Sequence, residues 1–62
     1  MYRYKVGEEV WYYIGKTLGG DLPWRKGNII RRYVKGMGEK IYALTGLYEN
    51  FEVSEENILR EE

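Results

Sequence analysis

The 62-residue sequence contains no cysteine and no histidine. The first absence excludes disulfides and thiolate chemistry. Together they remove the two usual transition-metal ligands and the residue that ordinarily activates a serine nucleophile. Proline occurs once, at Pro23, and phenylalanine once, at Phe51. No apolar run approaches the roughly 20 residues a membrane-spanning helix needs, and the N-terminus lacks the apolar stretch of a signal peptide. None of Asn28, Asn50 and Asn57 is followed two residues on by Ser or Thr, so no N-glycosylation acceptor exists. Lack of cysteine suits a reducing compartment, and a cytoplasmic protein is expected.

What the chain has in abundance is aromatic side chains: two Trp, seven Tyr and one Phe. A chain this short makes one domain, residues 1–62, which buries only about 60% of the surface its unfolded form exposes. Large rings compensate for a thin core, because each buries a wide area. Lys and Arg number 10, as do Asp and Glu, so the formal net charge is zero. The charges are nevertheless segregated. Residues 1–40 carry nine cations and four acids, and residues 41–62 carry one cation and six acids. Basic and acidic strands paired across a sheet would account for this.

Short alternating segments are punctuated by glycine. Tyr2 to Val6 alternates apolar with basic residues and ends at Gly7. Val10 to Ile14 is β-branched or aromatic throughout, a strong strand signal. Gly15 to Pro23 reads as a long exposed loop. Gly27 to Val34 is a second strand, Lys35 to Glu39 a hairpin turn with two glycines, and Lys40 to Leu44 a third strand. Thr45 to Asn50 forms another turn before a short strand at Phe51 to Val53. Ser54 to Asn57 reads as one helical turn, with Ser54 as its cap and the glutamates near its positive end. Ile58 and Leu59 would be a last strand. No sustained 3.6-residue period exists, so the expectation is an all-β domain of about five short strands in a closed or nearly closed barrel.

Several stretches resemble Tudor domains, a branch of the SH3-like barrels. Lys5-Val6-Gly7-Glu8-Glu9-Val10 is similar to the turn that leads into their first strand, and Arg25-Lys26-Gly27-Asn28-Ile29 to the start of the second. Tyr48-Glu49-Asn50-Phe51-Glu52 resembles the approach to the fourth strand, and Val53 to Leu59 the closing helical turn and strand. The likeness spans residues 5–59 and implies a small SH3-like (Tudor-type) barrel. Methyl-reading Tudor domains hold a cation among aromatic rings. Here the cage positions fall on Ile14, Arg25, Leu44 and Leu47, so the resemblance implies the fold and not methyl reading. A displaced cage would have to use Trp11, Tyr13, Trp24 and Tyr48.

Binding, not catalysis, is therefore the expected activity, with no cofactor and no catalytic residue. Ser54 has no base to activate it, and Glu55, Glu56 and Asp21 sit on exposed turns with no apolar pocket to raise a pKa. Glu55, Glu56, Glu61 and Glu62 have no recognisable cation-ligand spacing. Gly15-Lys16-Thr17 lacks the first glycine of a phosphate loop, since Val10 stands there. An oligomer with a pore at its symmetry axis would be the one route to catalysis. Alternation places Val10, Tyr12 and Ile14 on one face of the first strand and Trp11 and Tyr13 on the other. With Val6 and Val10 marking the inside, the expected partner-binding face comprises Trp11, Tyr13, Trp24, Tyr48 and Phe51, suited to a protein or peptide. The alternative is nucleic-acid binding through Trp24, Arg25, Lys26, Arg31, Arg32 and Tyr33, where cations would meet phosphates and rings would stack on bases. A regular strand turns Arg31 and Arg32 to opposite faces, so a single patch would require a bulge. A third reading is a subunit that completes a larger assembly through an open strand edge, as a monomer or weak homo-oligomer.

Overall fold

The computed structural model describes residues 1–15, 24–46 and 49–60. Five strands form one antiparallel sheet: β1 (Glu9–Tyr13), β2 (Trp24–Lys35), β3 (Glu39–Leu44), β4 (Phe51–Ser54) and β5 (Ile58–Arg60). Their spatial order is β4-β3-β2-β1-β5. With a single 3-10 turn among the described residues, Glu55–Asn57, between β4 and β5, this is a small all-β domain whose strand order fits the barrel expected from the sequence.

β2 makes the barrel. Trp24 to Asn28 pair with β1 in the register Tyr13↔Trp24, Trp11↔Lys26, Glu9↔Asn28. Beyond Ile29 the same strand pairs with β3 as far as Lys35↔Glu39. The register shifts between Ile29 and Arg31, leaving Ile30 as the extra residue of a bulge. A bulge bends its strand and sharpens the twist, which lets one strand serve both halves of the sheet. β2 therefore begins three residues earlier than the sequence suggests. Trp24, Arg25 and Lys26 are extended because β1 offers them a ladder.

The inner face carries Val10, Tyr12, Ile29, Tyr42, Leu44 and Ile58, all buried, with Ile14, Phe51 and Val53 packed half-buried against them. Gly27 belongs to this face for a steric reason. A Cβ there would lie 2.3 Å from the Thr45 carbonyl oxygen and 3.1 Å from the Tyr12 ring. That close approach lets the Thr45 amide donate to the Asn28 carbonyl at 3.0 Å and the Asn28 amide to Thr45 Oγ1 at 2.9 Å. The Tyr12 hydroxyl completes the joint by donating to the Thr45 carbonyl at 3.1 Å. At the β2–β3 turn, Gly36 and Gly38 have φ of 59° and 102°, as the hairpin reading anticipates.

The N-terminal arm, residues 1–8, is not a strand. It closes one end of the barrel with Tyr4, which is buried, while Val6 is 55% exposed. The alternation had marked Val6 as internal. The reason for the difference is the turn at Lys5–Glu8, where Gly7 takes a φ of 94° and changes which way the side chains face. The arm is held through Tyr42. That hydroxyl accepts from the amides of Arg3 at 3.2 Å and Tyr4 at 3.3 Å and donates to Glu55 at 2.5 Å. Glu55 also accepts from the Arg3 amide, at 3.0 Å. The rings of Tyr2 and Tyr4 meet the Tyr42 ring edge-on, at 6.1 and 5.5 Å. Arg60 lies over Tyr4 at 5.0 Å, donates to Glu8 at 2.5 Å and reaches the Arg3 carbonyl at 2.9 Å.

Glu55 is thus a tether for the arm, and its position in the 3-10 turn follows from that. Ser54 makes no side-chain cap to this turn; its hydroxyl donates to Glu39 at 3.0 Å instead. Three residues are too short a turn to carry a dipole worth capping, and a carboxylate across the sheet is the better acceptor.

Two predictions follow from these contacts. Gly27→Ala should lower stability by about 1–3 kcal/mol, because the clash is with backbone and neither side can yield. Urea unfolding would show this as a lower midpoint with an unchanged slope. The second concerns pH. Its hydrogen bond with Tyr42 holds the Glu55 carboxyl below its ordinary 4.5, and the Arg60 hydrogen bond does the same for Glu8. Burial pushes the Tyr42 hydroxyl above its ordinary 10.0. Lowered acids stabilise the fold above their unfolded value and cease to do so as pH falls; a raised phenol stabilises below its unfolded value and ceases to do so as pH rises. Unfolding midpoints should therefore hold level between 4.5 and 10.0 and fall on either side. Tyr42→Phe should cost about 1.5–3 kcal/mol at neutral pH, the value of a hydrogen bond to a charged group, and should blunt both limbs.

Candidate binding face

The outer face of the sheet differs between its two halves. Over β5, β1 and β2 it carries an aromatic and aliphatic patch bordered by Glu9 and Lys26. Trp11 is flanked in register by Leu59 on β5 and Lys26 on β2, and the next pair along is Tyr13 with Trp24. Trp11 is 36% exposed, Tyr13 39% and Leu59 55%. The rings of Tyr13 and Trp24 lie 5.4 Å apart at 44°. Lys26 extends over Trp11 with its ammonium 5.7 Å from the ring centre and 3.4 Å from Glu9. Its alkyl chain joins the apolar strip and its charge sits at the edge.

Over β2, β3 and β4 the outer face carries a self-paired charge cluster, with the exposed Ile30 at its border. Arg31 donates to Glu52 at 2.9 Å, and its guanidinium lies 5.2 Å from the centre of the Tyr33 ring. The Tyr33 hydroxyl donates to the same carboxylate at 3.1 Å. Glu52 is on β4 and Arg31 on β2, so the contact spans β3 and passes over Ala43. This is the cross-sheet pairing that the segregated charges suggested. Arg60 with Glu8 is the converse case, since there the one cation of the acidic half meets an acid of the basic half.

The expected aromatic face is therefore assembled in part. Trp11, Tyr13 and Trp24 come together on the outer surface. Phe51 is half-buried on the inner side, its ring 5.9 Å from that of Tyr12. The reason is register: Phe51 pairs with Leu44, which faces inward. Tyr48 lies outside the described residues. Leu59 belongs to the face and was not singled out, although alternation from the inward Ile58 would have placed it there. The displaced-cage arrangement is not formed by the rings that are described. Tyr13 and Trp24 pack on each other, and Trp11 is already covered on one side by Lys26.

The nucleic-acid set is divided. Trp24 and Lys26 are on the outer face of β2, and Arg25 is on the inner face beside Tyr12. Arg31 and Tyr33 are outward on the far side of the bulge. Arg32 points inward, donating to the Tyr4 carbonyl at 2.6 Å and lying 4.5 Å from the Tyr2 ring centre. The bulge precedes both arginines, so it leaves them on opposite faces. Among the described residues no group of His, Cys, Asp and Glu is placed to hold a metal ion, and no helix is long and apolar enough to cross a membrane.

No protein-family model, curated protein or solved structure matches the chain.

The outer strip makes a measurable prediction. Because Trp11 is partly open to water, its fluorescence should be quenched by acrylamide in the folded state, and a Trp24→Phe variant isolates its signal. Lys26→Met should remove the cation–π contact and change stability by about 0.5–1 kcal/mol at most, the value for exposed pairs. A larger loss would mean that Lys26 supports the fold.

Proposed function

We propose that this domain is a non-catalytic binding module that recognises a protein partner through the outer face of β5, β1 and β2. One observation carries the reading: Trp11, Tyr13 and Leu59 lie exposed on the adjacent strands β1 and β5, with Trp24 packed on Tyr13, and together they make an aromatic patch that the Arg31–Glu52 half of the outer face does not have. A strip of this kind costs solubility unless something covers it. Tryptophan and tyrosine are the side chains that most often anchor protein interfaces, and Lys26 and Glu9 at the rim would steer approach and orientation. The rings are held on strands, so little ordering is needed on binding.

Less supports the nucleic-acid reading. Arg31, Arg32 and Lys26 each already lie over a ring, and Arg31 and Lys26 are also paired with carboxylates. The chain is neutral overall, so no general field draws in a phosphate backbone. A chain without cysteine suits a cytoplasmic setting, and the resemblance to Tudor-like barrels fits the strand order without supplying a ligand.

Trp11→Ala combined with Trp24→Ala should leave circular dichroism and cooperative unfolding intact. It should weaken association with the partner captured by the wild-type domain at least tenfold. Retention of the same partner at the same affinity would sink the proposal. Oligonucleotides, single- and double-stranded, should show no binding at micromolar protein in low or moderate salt.

A further inference from the structure

A second surface is built from different residues. Among the described residues β4 pairs with β3 on one side only, and it forms one end of the sheet. An edge strand presents unpaired amides and carbonyls, and natural sheets usually blunt it with charge, proline or a covering segment. β5, at the other end, is blunted: Arg60 ties it to Glu8 and to the Arg3 carbonyl. β4 is bordered instead by two clefts that share Ser54. One, of about 410 Å³, lies between the end of β1 and β4 and is lined by Tyr13, Ile14, Phe51, Val53 and Asn57 among others. The other, of about 280 Å³, continues past Ser54 and is lined by Gly38, Glu39, Lys40, Glu55 and Glu56.

We propose that the β4 edge receives an extended segment of a partner protein, apolar along the first cleft and carrying lysine or arginine at the end that reaches the second. The two halves of this statement rest on different observations. A strand laid against β4 would pair with the edge that β3 does not, and its alternate side chains then fall on the inner side, over Phe51 and Val53, where Ile14 extends the apolar floor and Tyr13 stands at the rim. The charge preference comes from the second cleft, which sets three carboxylates against one ammonium. Glu55 is committed to Tyr42 and Glu39 to Ser54, which leaves the exposed Glu56 to meet a cation. The same carboxylates would repel a phosphate backbone, so the occupant is a peptide and not a nucleic acid. This site does not depend on the outer aromatic strip, apart from Tyr13 at their junction.

The test is selection of random twelve-residue displayed peptides on the immobilised domain, followed by titration of the most enriched synthetic peptide into 15N-labelled protein. Enriched sequences should alternate apolar residues and end in Lys or Arg. The titration should shift the Phe51 to Ser54 amides and leave the Trp11 indole in place. Glu56→Lys should weaken the peptide about tenfold. N-methylation of alternate peptide amides should abolish binding in one register and spare it in the other. The Trp11→Ala variant, which leaves the Tyr13–Trp24 pair in place, should bind the peptide as wild type does, so failure of the aromatic-face reading and failure of this one remain distinct. Absence of enrichment, peptides that shift the indoles while β4 stays unmoved, or affinity indifferent to Glu56→Lys would each overturn the proposal.

Discussion

The closed end of this barrel depends on one buried phenol. Tyr42 sits at the centre of β3 with its ring in the core, and its hydroxyl joins three parts of the chain that no ladder connects: the arm at Arg3 and Tyr4, the sheet itself, and the 3-10 turn at Glu55. A short β-domain has too little apolar area to hold loose ends by burial alone. Here a charge-assisted hydrogen bond, two edge-on ring contacts and the adjacent Tyr4-to-Ile58 bond at 2.9 Å do so together. Desolvation of the Tyr42 hydroxyl would be costly without partners, and all of its capacity is used. Stability and arm docking are therefore one event, and removing the hydroxyl would loosen both.

With the arm in place, the sheet has an inner face that is filled and an outer face of two kinds. The bulge at Ile30 divides them. On its β3–β4 side, Arg31, Tyr33 and Glu52 satisfy one another across three strands. On its β1–β5 side, parity puts Trp11, Tyr13, Trp24 and Leu59 outward, and Lys26 reaches over Trp11. The contrast matters more than the exposure of any one ring. Under the proposed function, the exposed rings of Trp11 and Tyr13 are the surface that a partner covers.

Much of this was legible in the sequence, and the failures have physical causes. Strand positions and the outward turn of Trp11 and Tyr13 follow from alternation, which is a local property of extended backbone. Val6 was misread because Gly7 turns the chain with a positive φ, and a parity count cannot be carried through such a residue. Phe51 is expected on the binding face but packs half-buried on the inner side, because its register opposite Leu44 is a tertiary fact. The early start of β2 and the closeness of Gly27 to Thr45 are likewise products of pairing. The tether through Tyr42, Glu55 and Arg60 was invisible for a simpler reason. Its members lie up to 57 residues apart, and nothing in composition or spacing links them.

The central claim is that the aromatic half of the outer face is where a partner sits. The most direct measurement is the pair of tryptophan indole 15N–1H signals, recorded for the free domain and for its complex with a captured protein partner. The Trp11 and Trp24 indoles should shift on binding while the amides of Ala43 and Glu52, beneath the self-paired charges, stay in place. Indoles that do not move in a saturated complex would contradict it.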